Sequence, residues 1–343
     1  MDPTYPLVPI ANFISFFLVV LALVVTAGRP WNIGVCMFAI WTALSCIFTA
    51  VNAIIWKDNF DIVAPVWCDI TSHFVVGFNA AIPACSLVIT RRIAQITRLR
   101  SLVENRQVRR RREDILDLLM CIGIPVLLMV DYYVVQGSRF QILEEFGCAS
   151  APIGSGVEIL LQQVWYVSIP LISIVLYLPK IVWHFYHQRR EMNEFLSSGG
   201  SMSQNTYIRI LALGCLDVFV TLPIGVLGLA VDIKENRIVF YQGWTAIHSF
   251  WEPQQVTKEM WTVTPFGTFD VKWNEWISVF FALVFFALFG LTSEARAKYK
   301  RALQFALRPI GLKHAASETV LSEVVFGSQH VGNNAVSVSL GCV

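Results

Sequence analysis

The sequence predicts an all-α membrane protein: a seven-transmembrane helix bundle with its N-terminus outside and its C-terminus inside, followed by a short amphipathic eighth helix. Three observations carry this. The chain of 343 residues is 55% hydrophobic and only 15% charged, with a mean hydropathy of +0.58, whereas a soluble chain carries about 25% charged residues. Its charges are bunched between long apolar runs instead of being mixed through the chain. The runs have the length of a bilayer-spanning helix, roughly 20 residues, and lack the ten-residue alternation of barrel strands, about one residue in and one out. A soluble enzyme, a disordered scaffold and a pair of soluble domains are all argued against.

Seven runs fall at residues 7–27, 33–56, 66–90, 115–135, 159–186, 208–231 and 272–291. The first follows Met1-Asp2-Pro3 and has no basic leader or small-x-small cleavage site, so it reads as an uncleaved anchor. The expected organisation is a short extracellular N-terminus (1–6), a transmembrane domain (7–291), an amphipathic membrane-surface helix (292–310) and a disordered cytoplasmic tail (311–343). In the eighth helix Ala295, Tyr299, Leu303, Ala306 and Leu307 share a face, and Pro309 and Gly311 end it.

Orientation follows from basic residues, which are retained on the cytoplasmic side. With the N-terminus outside, 20 of the 26 fall inside; only Lys57, Arg139, Lys234, Arg237, Lys258 and Lys272 fall outside. The outer segments are acidic: Asp58, Asp61, Glu144, Glu145, Glu158, Asp232, Glu235, Glu252, Glu259 and Asp270. This is either solvation plus the topology rule or attraction for a cationic part of a ligand. Seven such spans fit receptors that couple to G proteins, retinal proteins and some transporters alike.

An N-terminus of about six residues is too short to form a binding domain, so a ligand must be caught by the outer loops and the bundle. The longest outer loop, 232–271, is rich in aromatic and polar groups, including Trp244, His248, Trp251 and Glu252. It either anchors at the membrane interface or covers the bundle mouth and touches an apolar or lipidated ligand. At the outer end of the third span, beside Trp67, Asp69 and His73 are spaced to interact; they contact a ligand or satisfy each other. Cys68 and Cys148 both fall outside, where a bridge is favoured by an oxidising compartment and would pin the loop 136–158 across the mouth. Cys36, Cys46, Cys85, Cys121 and Cys215 read as small buried apolar residues.

Inside, residues 91–114 carry nine arginines, among them Arg91, Arg92 and Arg98, against three acids. They suit anionic lipid contact or docking of an acidic cytosolic partner; nucleic acid is a poor reading for a patch held against a membrane. Within the bundle, Asp217 lies deep in the sixth span, six residues before Pro223. A buried acid beside a helix breaker suits a conformational switch, or is a hydrogen-bonded structural group. Pro83, Pro125 and Pro170 suggest further kinks. No hydrolase, zinc-protease or nucleotide-binding motif occurs, so no enzyme activity, cofactor or metal is expected. A retinal protein needs a lysine within the seventh span, where Lys272 stands only at the edge. A transporter or channel using Asp217 remains the alternative.

Several separated stretches then resemble one family. They are VNAIIWKDNFDIVAPVWCDITSH, PACSLVITRRIAQI, YLPKIVWHFYHQRREMNEFLSS, YIRILALGCLDVFVTLPIG, WTAIHSFWEP and FFALFGLTSEARAKYKRAL. Together they resemble the fungal receptors for lipopeptide mating pheromones, the a-factor receptor family. The rhodopsin-type signatures are missing: Thr90-Arg91-Arg92 follows the third span, and the seventh has no Asn-Pro-x-x-Tyr. The resemblance implies a multi-pass plasma-membrane G-protein-coupled receptor. It would bind a farnesylated, methyl-esterified peptide pheromone outside and activate a heterotrimeric G protein that starts the mating response. It places Arg189 and Arg190 in the third inner loop, where such receptors engage the G protein, with Arg91, Arg92, Arg98 and Arg209 as further coupling candidates. Ligand contact falls to Trp67, Asp69, His73, Trp244, His248, Trp251 and Glu252. Membrane lipids are expected partners, and a homodimer stays open.

Overall fold

The computed structural model of the chain describes residues 5–26, 33–98, 106–187, 204–235 and 239–307. Contacts divide the chain into Met1–Lys300 and Arg301–Val343; the latter is described only through Leu307. Among the described residues, seven helices are long and apolar enough to cross a bilayer, which makes this a multi-pass membrane protein.

The spans are α1 (Leu7–Thr26), α2 (Ile33–Ile55), α3 (Pro65–Arg98), α4 (106–135), α5 (156–187), α6 (Gln204–Glu235) and α9 (265–290). Hydrocarbon offers no partner to a bare peptide group, so each apolar run closes its own backbone hydrogen bonds as a helix. Phe17, Val24, Val130, Val175 and Phe219 point outward, as a lipid-facing surface requires. α3 is the central post. Its most apolar window is 83% buried, against 22–56% for the other six spans. It contacts α2 on one side and α4, α5 and α6 on others, while α1 and α9 pack on each other and on α2. Lipid tails are as apolar as leucine, so close packing rather than water exclusion must hold these helices together. α3 accordingly buries Ala80, Ala81, Ala84, Cys85 and Ser86 completely. An aromatic ladder of Trp41, Phe74, Phe48 and Trp67 joins α2 to α3, with adjacent ring centroids 4.4–5.4 Å apart.

Among the described residues, four π turns interrupt the α pattern: Leu119–Gly123 in α4, Ile159–Gln163 and Ser173–Tyr177 in α5, and Phe286–Gly290 ending α9. Pro125 and Pro170 lie beside two of them, whereas Pro83 and Pro223 sit inside uninterrupted α-helix. Two π turns coincide with polar ties to the bundle. The Trp41 indole donates to the Cys121 carbonyl at 3.2 Å, and the Thr90 and Ser173 hydroxyls lie 2.8 Å apart.

The seventh span starts earlier than its hydropathy suggests, at Pro265 instead of residue 272. Pro265 suits the first helical turn, and the Thr264 hydroxyl accepts from the Gly267 amide at 3.0 Å. The added residues are polar but paired: Lys272 Nζ lies 2.9 Å from the buried Glu275 carboxylate, and the Asn274 amide donates to Asp270. This shortens the preceding loop, in which two helical turns, α7 (Trp244–Ile247) and α8 (Lys258–Trp261), form.

A three-stranded sheet covers the end of the bundle that carries the disulfide. β1 (Gln141–Leu143) pairs antiparallel with β2 (Gly147–Ala149) and parallel with β3 (Gln254–Val256). At the opposite, basic end, α10 (Ser293–Leu307) is capped by Thr292, whose hydroxyl accepts from the Ala295 amide. Ala295 is buried, Tyr299 half-buried, and Arg296, Lys298 and Lys300 are exposed; burial raises the Tyr299 phenol above its ordinary pKa.

One close helix crossing, between α2 and α3, is testable. A Cβ on Gly34 would stand 2.9 Å from the Cys85 carbonyl oxygen and 3.0 Å from Ile89. Gly34→Val should therefore cost about 1–3 kcal/mol and lower the melting temperature of the purified protein in micelles. Gly123→Ala, which meets nothing within 4 Å, should leave it unchanged or slightly raised.

Candidate functional site

At the disulfide end the β1–β2 hairpin is fastened to the helices from below. Cys148 on β2 is bonded to Cys68 on α3. Asn52 on α2 donates to the Cys148 carbonyl at 3.3 Å and accepts from the Trp67 indole at 2.8 Å. Gly147 has φ +102°, and a Cβ there would lie 2.9 Å from the Trp56 ring and 3.0 Å from Asn52; only glycine satisfies both the conformation and the approach. Arg139, preceding β1, forms a two-pronged ion pair with Asp69 at 2.8 and 2.6 Å. The carboxylate holds the guanidinium proton above the ordinary arginine value. Asp69 therefore does not bond His73 through its carboxylate: His73 Nδ1 lies 2.8 Å from the Asp69 backbone carbonyl.

The hairpin turn is braced from above. Glu145 takes φ 68°, an uncommon conformation for a residue with a side chain. Its carboxylate pairs with Lys258 Nζ at 2.6 Å, while Glu144 accepts from the Lys258 amide through its side chain and from the Trp261 indole through its carbonyl. Between this hairpin and the α7 segment lies a cavity of about 170 Å³, bordered by Gln141, Pro152, Ile153, Ile247, Phe250 and Gln254. A smaller recess of about 30 Å³ beneath Phe146 is lined by Ser45, Phe48, Asn52, Phe74 and Asn274.

An aromatic cluster ties α7 to α4. The His248 ring stacks on Trp244 with centroids 4.1 Å apart and lies 5.4 Å from Trp251 and 5.2 Å from Tyr133. Glu252, next to Trp251, is exposed. A polar contact joins α5 to α6: the Gln163 amide donates to Asp232 at 2.7 Å.

At the basic end Arg91 and Arg92 turn into the bundle. Arg91 Nη1 lies 2.7 Å from Asp117, which is completely buried on α4, and Arg92 pairs with Asp117 and Asp114 and approaches Glu113 at 3.6 Å. Arg209 is half-exposed on α6. The Arg98 and Asp217 side chains, and Arg189 and Arg190 altogether, lie outside the described residues. Pro223 is exposed in α6.

The structure thus brings Trp67, Asp69, Cys68 and Cys148 together under the hairpin, and Trp244, His248 and Trp251 into one cluster beside it. Three contributors escaped the sequence reading. Arg139 and Tyr133 meet their partners only through the fold. Asp117 carries a legible signal, a carboxylate inside an apolar run.

Residues 7–310 match the protein family described as pheromone A receptor. The chain is 33% identical over 316 residues to the pheromone B alpha 3 receptor of Schizophyllum commune, covering 91% of this chain and 50% of that protein. It is 29% identical over 324 residues to pheromone receptor 1 of Mycosarcoma maydis, covering 92% and 88%. It is 22% identical over 277 residues to the pheromone a factor receptor of Saccharomyces cerevisiae, covering 80% and 56%. The chain spans about half the length of the Schizophyllum relatives it matches.

The arginine–aspartate cluster predicts a specific stability pattern. Removing one partner of a buried ion pair costs about 3–5 kcal/mol because a charge is left alone, so Asp117→Ala should lower the thermal midpoint strongly. Adding Arg92→Ala to it should cost much less than the two separate losses combined, a coupling that a double-mutant cycle measures.

Proposed function

Because the chain belongs to the pheromone A receptor family, we propose that it is a plasma-membrane G-protein-coupled receptor for a farnesylated peptide mating pheromone. The observation that carries this is the covered mouth at the disulfide end, in a chain that matches the family over residues 7–310. The disulfide end faces outside, in keeping with the basic bias of the opposite end. The aromatic cluster and the cavity beside Phe250 offer apolar surface for a prenylated end, and Asp232 offers attraction for a cationic part of the peptide. A prenyl chain gains about 0.8 kcal/mol per buried CH₂, so the lipid supplies much of the binding energy and also brings the peptide to the membrane. Trp67, Asp69, His73, Trp244, His248, Trp251 and Glu252 are the proposed contact residues; Asp69 also holds Arg139 beside the hairpin.

An agonist acts by binding the active bundle more tightly than the resting one. Asp217 and Pro223 on α6 are the proposed switch. Arg98, Arg189, Arg190 and Arg209 are the proposed docking residues for the heterotrimeric G protein. Arg91 and Arg92 act on coupling through the position of α3 against α4.

The test is a mating-response reporter in a fungal cell lacking its own receptor, challenged with synthetic pheromone peptides. The farnesylated form should act at a concentration at least about tenfold lower than the unfarnesylated one, since two buried CH₂ groups suffice for that ratio. Equal potency of the two forms would contradict the lipid's role.

A further inference from the structure

The contacts of His248 have a consequence for its protonation. Its Nδ1 lies 2.9 Å from the Trp244 carbonyl oxygen and its Nε2 3.0 Å from the Tyr133 carbonyl oxygen. Both partners only accept. A neutral imidazole has one N–H, so either neutral tautomer sets a lone pair against a carbonyl oxygen; the imidazolium donates to both. The rings point the same way. Trp244, Trp251 and Tyr133 all lie within 6 Å of the His248 ring, the range in which an aromatic face attracts a cation. The charged side chains within two residues of Tyr133 and within four of His248 in sequence are Asp131 on α4 and Glu252 on the loop, beside the Tyr133 phenol itself.

We propose that His248 is a protonation-controlled latch fastening the α7 segment to the end of α4. With the proton on, both carbonyls are bonded and the ring is held among three aromatics. As pH rises and the proton leaves, one hydrogen bond is replaced by a lone-pair contact and the cation–aromatic attraction is lost, so the segment loosens. Histidine is the side chain whose ordinary charge change falls between pH 5 and 8. The latched segment supplies Ile247 and Phe250 to the wall of the 170 Å³ cavity, so the latch sets how open the mouth is. As regulation of a receptor mouth this rests on the function proposed above; the latch itself is read without any ligand.

The experiment is amide hydrogen exchange across residues 244–251 of the full chain in lipid nanodiscs at pH 5 and pH 8, corrected for the intrinsic pH dependence of exchange. Wild type should exchange about tenfold more slowly at pH 5, the effect of one charge-assisted hydrogen bond. His248→Arg keeps a cation with donors for both carbonyls and should stay protected at both pH values. His248→Asn, with no cation, should exchange rapidly at both. Equal corrected protection of wild type at the two pH values would overturn the proposal, as would a pH dependence that survives in His248→Arg. Loss of the pheromone response alone, with this exchange pattern intact, would instead count against the proposed function.

Discussion

Everything else in this molecule is arranged around one constraint: α3 is buried along most of its length and tied at both ends. Inside a bilayer, packing and polar pairing replace water exclusion as the force between helices, so clamps decide where a helix sits. At one end the Cys68–Cys148 bridge spans 80 residues of sequence; closing a loop of that size destabilises the unfolded chain by about 4.5 kcal/mol. At the other, Arg91 and Arg92 grip the buried Asp117. Thr90 meets Ser173 one residue earlier, so α4 and α5 are both held where α3 leaves the bundle.

The clamps have different consequences. The covalent one fixes the hairpin, and with it the floor of the mouth. The roof is held by weaker contacts: Lys258 on Glu145, the Trp261 indole on Glu144, and His248 between two carbonyls. The floor of the mouth is thus covalently bonded and its roof held by hydrogen bonds and an ion pair, so on the proposed function the roof is the part free to move for a ligand. The ionic clamp is reversible too, and π turns in α4 and α5 lie next to it, a helix geometry frequent at functional sites.

Much of this was legible in the sequence, for identifiable reasons. The seven spans are visible because each is a long apolar run. The cysteine pair is visible because the spans divide the chain by side and leave one cysteine at that end of the third span and one in a loop beside it. The start of α9 is hidden because Asp270, Lys272, Asn274 and Glu275 look like a loop until the fold pairs them. The sheet is hidden because three-residue strands have no readable alternation, and β3 joins β1 across 113 residues. Of the aromatic cluster, Trp244, His248 and Trp251 are close in sequence and were legible; Tyr133 lies 115 residues from His248 and was not. Asp69 and His73 were correctly seen as neighbours, but Arg139, whose position depends on the disulfide loop, takes the carboxylate.

The proposed function has the pheromone caught at the mouth, in the cavity between the β1–β2 hairpin and the α7 segment. It is tested most directly by placing a photoreactive phenylalanine analogue at Phe250 or Ile153, which border the cavity, and at Leu116, exposed at the basic end. Illumination with a farnesylated pheromone peptide should crosslink the first two positions, in competition with unlabelled peptide, and leave Leu116 unlabelled. Competable crosslinking at Leu116 with none at Phe250 or Ile153 would contradict the account.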